Sequence, residues 1–550
     1  MMGKTFSAEP HKLGDLFSSP FFFRVPAYQR PFSWDRDNFA DLVDDLVGAD
    51  KSSEYFLGTL VLHRTDDDGN HDIVDGQQRL TSIAILLAAL RDMIDHEAFK
   101  SDLQDKISQK ENVVDGIPKK IRIEVRNSAV FDAYVAQPDG TVKEHHFASD
   151  TDTERRYSIA VEEYRTKLKS LTQDQLQNLV RFISQRCIVI VLMASRFEEA
   201  FRLFSIVNDR GKQLRRIDIL KAVNLDPQIV PKDTVRESLA ARWEELENEI
   251  GGDRFEDVFF MMRLIILKDK PQKDLFSEFQ DRVFKRGLST PGQVFLDTAY
   301  EYAELYKSIF LSRDYLVVDH KDYNRFVSLI HIMDCEFRAS EWRACVVQFA
   351  RVFGRERILE FAEKIQFLFV EHWATGIRKD ERFSHYAAIL HAIDNKGAKP
   401  QDAINAVNYD ADKITTAITA RNFYSLGLAK YVLLRLELLS SEMDQLRILN
   451  AKSIEHVLPQ NPKDGSDWLS WHNKSEIPDY VHSIGNLVLL SKGKNSSAGN
   501  KEFSAKKDSY LKPRFVDFPR SAEVLLAQEW SKKTISDRTA AAALGFFNPI

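Results

Sequence analysis

The period of the hydrophobic pattern changes twice along the chain, and that change limits the fold more than any other feature. Over residues 1–225 strand-like and helix-like segments mix. YFLGTLVLHR (55–64) reads as a strand, DDDGN (66–70) as a turn and HDIVD (71–75) as a second strand. The apolar run SIAILLAAL then predicts a helix from about Leu80 to Ile94. Residues 121–127 alternate as a strand should, and CIVIVLMA (187–194) reads as a buried strand. A helix is expected over 197–208, stopping near Gly211.

From 226 to 442 strand signals nearly vanish. LAARWEELENEI, DVFFMMRLIIL, FLDTAYEYAELYKSIF, ILEFAEKIQFLFVEHW and LAKYVLLRLELLSSEM all carry helical spacing, with aromatic faces read as core. After 443 the pattern changes again, to a short strand, a loop, a second strand (NLVLLS) and a helix. Three domains are expected, 1–225, 226–442 and 443–550, in a multidomain α+β chain.

Composition narrows the class. A formal net charge of −6 offers no global basic field, so any nucleic-acid face must be local. Such a face is available between Lys492 and Lys512, where six lysines stand against Glu502 and Asp508; a solvated lysine-rich surface is the plain alternative. Cys187, Cys335 and Cys345 are far apart and outside any CxxC pattern, which argues for a reducing compartment and for three buried thiols. The start, MMGKTFSAEPHKLGDLF, lacks a signal-peptide core, and no run is apolar for the ~20 residues a spanning helix needs. A cytoplasmic protein without a membrane partner is expected.

Two polar constellations carry chemistry. In the last hundred residues Glu455 and His456 stand side by side, followed by Pro459, Asn486 and Asn495. A carboxylate beside an imidazole suits metal-assisted phosphodiester hydrolysis: the carboxylate holds a divalent ion and neutral histidine deprotonates water. Asn495 would add an amide oxygen, a hard ligand suited to Mg²⁺.

Near the other end, IVDGQQRLT (73–81) packs Asp75, Gly76, Gln77, Gln78 and Arg79 between a strand and an apolar helix. Gly76 can turn the chain, and the helix start offers N–H groups to an anion such as phosphate. Arg79 could clamp phosphate oxygens, and Asp75 could hold a metal-bound water or position another side chain. From spacing alone the plainer reading leads: a turn and a capped helix with an internal Asp75–Arg79 pair.

IEHVLPQ followed by HSIGNLVLLSKGKNSSAGNKEF resembles the HNH, or ββα-metal, nuclease motif. More closely, it is similar to the version at the C-terminus of GmrSD-type restriction endonucleases. The resemblance implies His456 as general base, Glu455 and Asn495 as ligands of Mg²⁺ or Mn²⁺, and Asn486 as the residue that fixes the loop and orients the histidine. This sequence has Glu where many HNH enzymes have Asp or His, and Asn500 competes with Asn495 as the late ligand. His482 is read as structural, with a place near phosphate left open.

VPAYQRPFSWDRD (25–37) and IVNDRGKQLRRIDILKA (206–222), taken with YFLGTLVL and IVDGQQRLT, resemble the DGQQR domain of GmrSD-like proteins. That domain is related to the ParB/sulfiredoxin-like fold and is associated with nucleotide hydrolysis. The resemblance implies a nucleoside triphosphate site, for GTP or ATP, at Asp75, Gly76, Gln77, Gln78 and Arg79, with Asn208, Arg210, Asp218 and Lys221 as companions. There is no Walker A loop, so a different cradle is needed. Tyr28, Gln29 and Arg30 fall where proteins of the SspE type sense phosphorothioate DNA, although Tyr28 and Phe32 also fit a plain core. The two resemblances span residues 10–225 and 445–515.

Together they imply a modification-dependent (type IV) restriction endonuclease of anti-phage defence. It would act on modified phage or foreign DNA, with homo-oligomerisation open. The competing readings are a nucleotide-gated DNA-binding regulator with a silent nuclease fold, and an interaction scaffold.

Overall fold

The computed structural model describes residues 6–26, 28–29, 31–65, 69–114, 116–125, 128–145, 152–195, 199–200, 203, 215–316, 322–451, 453–490, 500–508 and 518–550. The chain forms two compact units, Met1–Ala240 and Ala241–Ile550. Among the described residues no helix is long and apolar enough to cross a membrane.

The first unit is built on a six-stranded mixed sheet. Its strands are β1 (Phe6–Lys12), β2 (Phe22–Arg24), β3 (Tyr55–Arg64), β4 (Asn70–Asp75), β7 (Ile123–Glu124) and β8 (Cys187–Ala194), in the order β1-β8-β3-β4-β2-β7. A separate two-stranded ribbon pairs β5 (Ser108–Gln109) with β6 (Lys120–Ile121). The strands expected at 55–64, 71–75 and 187–194 are β3, β4 and β8. β3 runs parallel to β8 and antiparallel to β4. The single strand expected over 121–127 is instead broken. Ile121 pairs in the ribbon and Ile123 in the main sheet, because the Arg122 side chain between them turns inward to the Phe21 carbonyl and the Phe22 ring.

Three helices flank the first half of this sheet: α1 (Leu13–Leu16), α2 (Arg36–Gly48) and α3 (Gln77–Met93). Asp35 caps α2 by accepting from the Asn38 N–H, and the Asn38 side chain answers from the Asp35 N–H. α3 is the expected apolar helix, begun one turn earlier at Gln77. It is buried on every side from Leu80 to Arg91, so it forms the centre of the unit rather than a surface stripe. Helices Glu97–Ile107 and Asp152–Leu168 pack against it. The helix expected over 197–208 lies outside the described residues.

The second unit begins with helices alone: every described element from Gly252–Leu267 to Ala429–Leu439 is helical. Its aromatic residues are core, as their spacing implied. Phe255 packs edge to face with both Trp243 and Phe259, and Phe337 stacks on Phe369 at 3.7 Å between ring centres. Cys187 and Cys345 are buried as expected. Cys335, however, is exposed, because its position near the end of helix Tyr323–Glu336 turns it outward.

At the end of the chain β9 (Ser453–His456) pairs antiparallel with β10 (Leu487–Leu490), and a short helix, Phe503–Lys506, follows. The strand, strand and helix match the expected order. The segment between the strands is not a bare loop: Trp468 anchors it in a core shared with Val457, Val488, Phe503 and Trp530.

Candidate functional site

The Asp75–Gly76 turn joins β4 to α3. Gly76 adopts φ +91°, and a Cβ there would lie 2.8 Å from Leu60 Cδ1, so both conformation and space require glycine. Burial pushes the Asp75 carboxyl pKa up, opposed by the Gly76 N–H and by Arg79. Burial likewise pushes the Arg79 guanidinium pKa down, with Asp75 partly offsetting it. Arg79 makes no ion pair with Asp75 at contact distance. It donates instead from Nη1 to the Thr59 carbonyl at 3.2 Å.

That contact depends on an irregularity in β3. The register with β8 slips between Phe56 and Thr59, and Gly58 sits in the slip at φ +105°. A Cβ on Gly58 would lie 2.9 Å from Arg79 Nη1. Gly58→Ala is therefore expected to displace Arg79 and to destabilise the first unit by about 2 kcal/mol. Chemical denaturation checks this; an unchanged midpoint would contradict it.

The structure brings two of the predicted N-terminal segments together. Gln29 Nε2 donates to the Ile73 and Val74 carbonyls at 3.0 and 2.7 Å. Gln78 Oε1 accepts from the Ser33 and Trp34 N–H groups at 2.8 and 3.2 Å, while its Nε2 donates to the Pro31 carbonyl at 3.2 Å. Both amides thus fasten the 28–34 segment to the turn. Gln77 is buried at the helix start.

Tyr28 is buried, and burial holds its hydroxyl pKa well above the usual phenol range. It lines a cavity of about 150 Å³ with Arg24, Asp72 and Arg236. Phe32 is core, packed between Phe39 and Tyr157. Asp218 and Lys221 are buried on helix Arg216–Asn224, and Asp218 closes that helix start by accepting from the Arg215 N–H at 3.1 Å. Arg30, Asn208 and Arg210 lie outside the described residues.

The C-terminal constellation forms around β9. Glu455 and His456 are both about 2% exposed. Glu455 Oε1 meets the ammonium of Lys506 at 3.0 Å, and that ammonium also donates to the His456 carbonyl at 2.7 Å. Lys506 is 1% exposed, so the pair is nearly dry. The His456 ring goes elsewhere. Its Nε2 lies 3.0 Å from His482 Nδ1, and its Nδ1 lies 3.3 Å from Gln460 Nε2. Tyr424 sets its ring edge on His456 and lies parallel to His482, and its N–H donates to the His482 carbonyl at 3.0 Å.

Asn486 is fully buried. Its Oδ1 accepts from the Leu458 N–H and from Trp530 Nε1 at 2.8 and 3.0 Å. Its Nδ2 donates to the Leu458 and Val481 carbonyls at 3.0 and 2.8 Å. It therefore clamps the residues just after His456 and just before His482. Asn486 acts through backbone; the group that meets the His456 imidazole is His482.

Asn495 lies outside the described residues, and Asn500 is exposed. Glu455 is the right kind of donor for a hard divalent cation. Among the described residues no group of three or more His, Cys, Asp or Glu could hold one. Sequence reasoning missed Lys506 and Tyr424 as partners of the site, and read His482 as structural with a place near phosphate left open. Lys506 was one of six similar lysines, and the 26-residue separation of the two histidines carried no periodic signal.

The family model described as the N-terminal domain of GmrSD restriction endonuclease matches residues 13–225, which include the Asp75–Arg79 turn and its Gln29 and Gln78 fastenings. The model for the C-terminal domain of GmrSD restriction endonucleases matches residues 408–543. That stretch contains Tyr424, Glu455, His456, His482, Asn486 and Lys506. No curated protein matches the chain. With both terminal domains present in order over well more than half of its length, the chain belongs to the GmrSD restriction endonucleases.

Proposed function

We propose that the protein is a modification-dependent DNA endonuclease whose C-terminal module is an HNH-type nuclease controlled by a nucleotide-binding N-terminal domain of ParB/sulfiredoxin-like fold. The carrying observation is the Glu455–His456 pair at the end of β9, buried and clamped by Asn486. In this reading His456 takes a proton from the attacking water. The new P–O bond forms as the bond to the leaving DNA oxygen breaks. Glu455, with Asn495, would hold Mg²⁺ or Mn²⁺, which supplies Lewis-acid stabilisation of the leaving oxygen. Lys506 keeps the Glu455 carboxylate aligned on the strand, and Asn486 keeps the histidine in register. The lysines between 492 and 512, apart from the buried Lys506, would give the DNA backbone a local positive partner in a chain whose net charge is −6.

At the other end, the Gly76 turn and the start of α3 would take the phosphates of GTP or ATP, with Arg79 beside them. Asp218 and Lys221 are further candidates for that site, as are Asn208 and Arg210. Tyr28, Gln29 and Arg30 would read the DNA modification, a phosphorothioate being one candidate.

The test is a matrix of DNA substrates, unmodified, phosphorothioated or glucosylated, each with and without GTP or ATP and Mg²⁺ or Mn²⁺. Wild type should break one modified DNA and turn over one nucleotide. Arg79→Ala should lose turnover by at least about tenfold, whereas His456→Ala should keep it. Turnover unchanged in Arg79→Ala would remove the nucleotide from this turn. DNA binding and turnover without strand breaks under any metal would favour the regulator reading. The neutralisation of Glu455 by Lys506 is the observation on that side.

A further inference from the structure

We propose that His482 is the positioning residue of the general base: its Nδ1 accepts the Nε2–H of His456 and so fixes the tautomer that leaves the His456 Nδ1 lone pair for water. The inference rests on the endonuclease reading and deepens it. Two neutral imidazoles whose nitrogens lie 3.0 Å apart must share one hydrogen between them. The direction follows from the other ring nitrogen. Gln460 Nε2 lies 3.3 Å from His456 Nδ1, and an amide nitrogen can only donate. His456 Nδ1 therefore accepts, its proton sits on Nε2, and His482 Nδ1 receives it. His482 in turn carries its own proton on Nε2.

The surroundings hold this arrangement. The Tyr424 N–H fixes the His482 carbonyl at 3.0 Å, and the Tyr424 ring lies 15° from parallel to the His482 ring. Asn486 donates to the carbonyl of Val481, immediately before His482, and to that of Leu458, two residues after His456. One buried amide thus sets the spacing of the two imidazoles. His482 is half-buried while His456 is buried. Gln460 stands where the reacting water must approach Nδ1, and its amide is the group that water replaces.

The experiment uses the full chain with selectively ¹⁵N-labelled histidine. In wild type the ring nitrogens of His456 should show Nε2 protonated and Nδ1 bare. His482→Leu should weaken that preference, which Gln460 alone then supports, and lower kcat for DNA cleavage by about 100-fold, with KM for DNA unchanged within about twofold. His482→Asn, whose Oδ1 can accept the same hydrogen, should restore the tautomer and bring kcat back to within about tenfold of wild type. A thermal melt of each variant separates loss of positioning from loss of fold.

A protonated Nδ1 in wild-type His456 would overturn the proposal. So would His482→Leu cleaving within about threefold of wild type. Should wild type itself cut no DNA, the endonuclease reading fails separately, and the ¹⁵N spectrum still decides how the two rings are paired.

Discussion

His456→Ala should lower DNA cleavage about a thousandfold while leaving the fold and nucleotide turnover intact. General-base catalysis supplies roughly 10²–10⁴ in rate, and this imidazole is the candidate base in the matched C-terminal domain. The loss should fall on kcat, because His456 is 2% exposed and contributes little surface to DNA binding. Its backbone role survives the change: the strand pairing with Leu487 uses main-chain atoms, and the His456 carbonyl remains available to Lys506. A plasmid-nicking time course measures the effect. Cleavage within about tenfold of wild type would contradict the assignment of His456 as base.

Lys506→Met is expected to destabilise the second unit by about 3–5 kcal/mol, the usual cost of removing one partner from a buried ion pair. Lys506 and Glu455 are 1% and 2% exposed, so solvent cannot replace the lost ammonium. The same change removes the hydrogen bond that the Lys506 ammonium gives to the His456 carbonyl. In a unit of this size the shift corresponds to a melting temperature lower by roughly 10 °C. Glu455→Gln combined with Lys506→Met should recover much of that loss, because both charges of the buried pair are then removed together. Differential scanning calorimetry checks both variants. A Lys506→Met melt within about 2 °C of wild type would show that Glu455 has another cation at hand.

The elements with strong periodic signal were legible in the sequence. β8 is a continuous apolar run, and α3 is apolar on all sides. Both stand where their patterns placed them, although β8 is buried on one face only and leaves Ile190 exposed on the other. The break at Arg122 was not legible. Its cause is a guanidinium drawn to Phe21 and Phe22, a hundred residues earlier in the chain. Arg79 shows the same limit. Its residue type pointed to phosphate or to Asp75, but its partner in the structure is the Thr59 carbonyl, reached only because Gly58 opens β3.

At the C-terminal end, Glu455, His456 and Asn486 were singled out by order along the chain. The part each plays comes from contacts the order does not encode. Asn486 turned out to hold backbone on both sides of the histidine pair. Lys506 and its neighbour Lys507 look alike in sequence. One is locked on Glu455 and the other donates to the Ala527 carbonyl.

The most direct measurement of the central claim is strand scission by the wild-type protein: supercoiled DNA carrying each modification, with Mg²⁺ or Mn²⁺, nucleotide present, and EDTA as control. The account predicts nicked or linear product from at least one modified DNA, abolished by EDTA. DNA that stays supercoiled under every metal and nucleotide, while still bound by the protein, would contradict it.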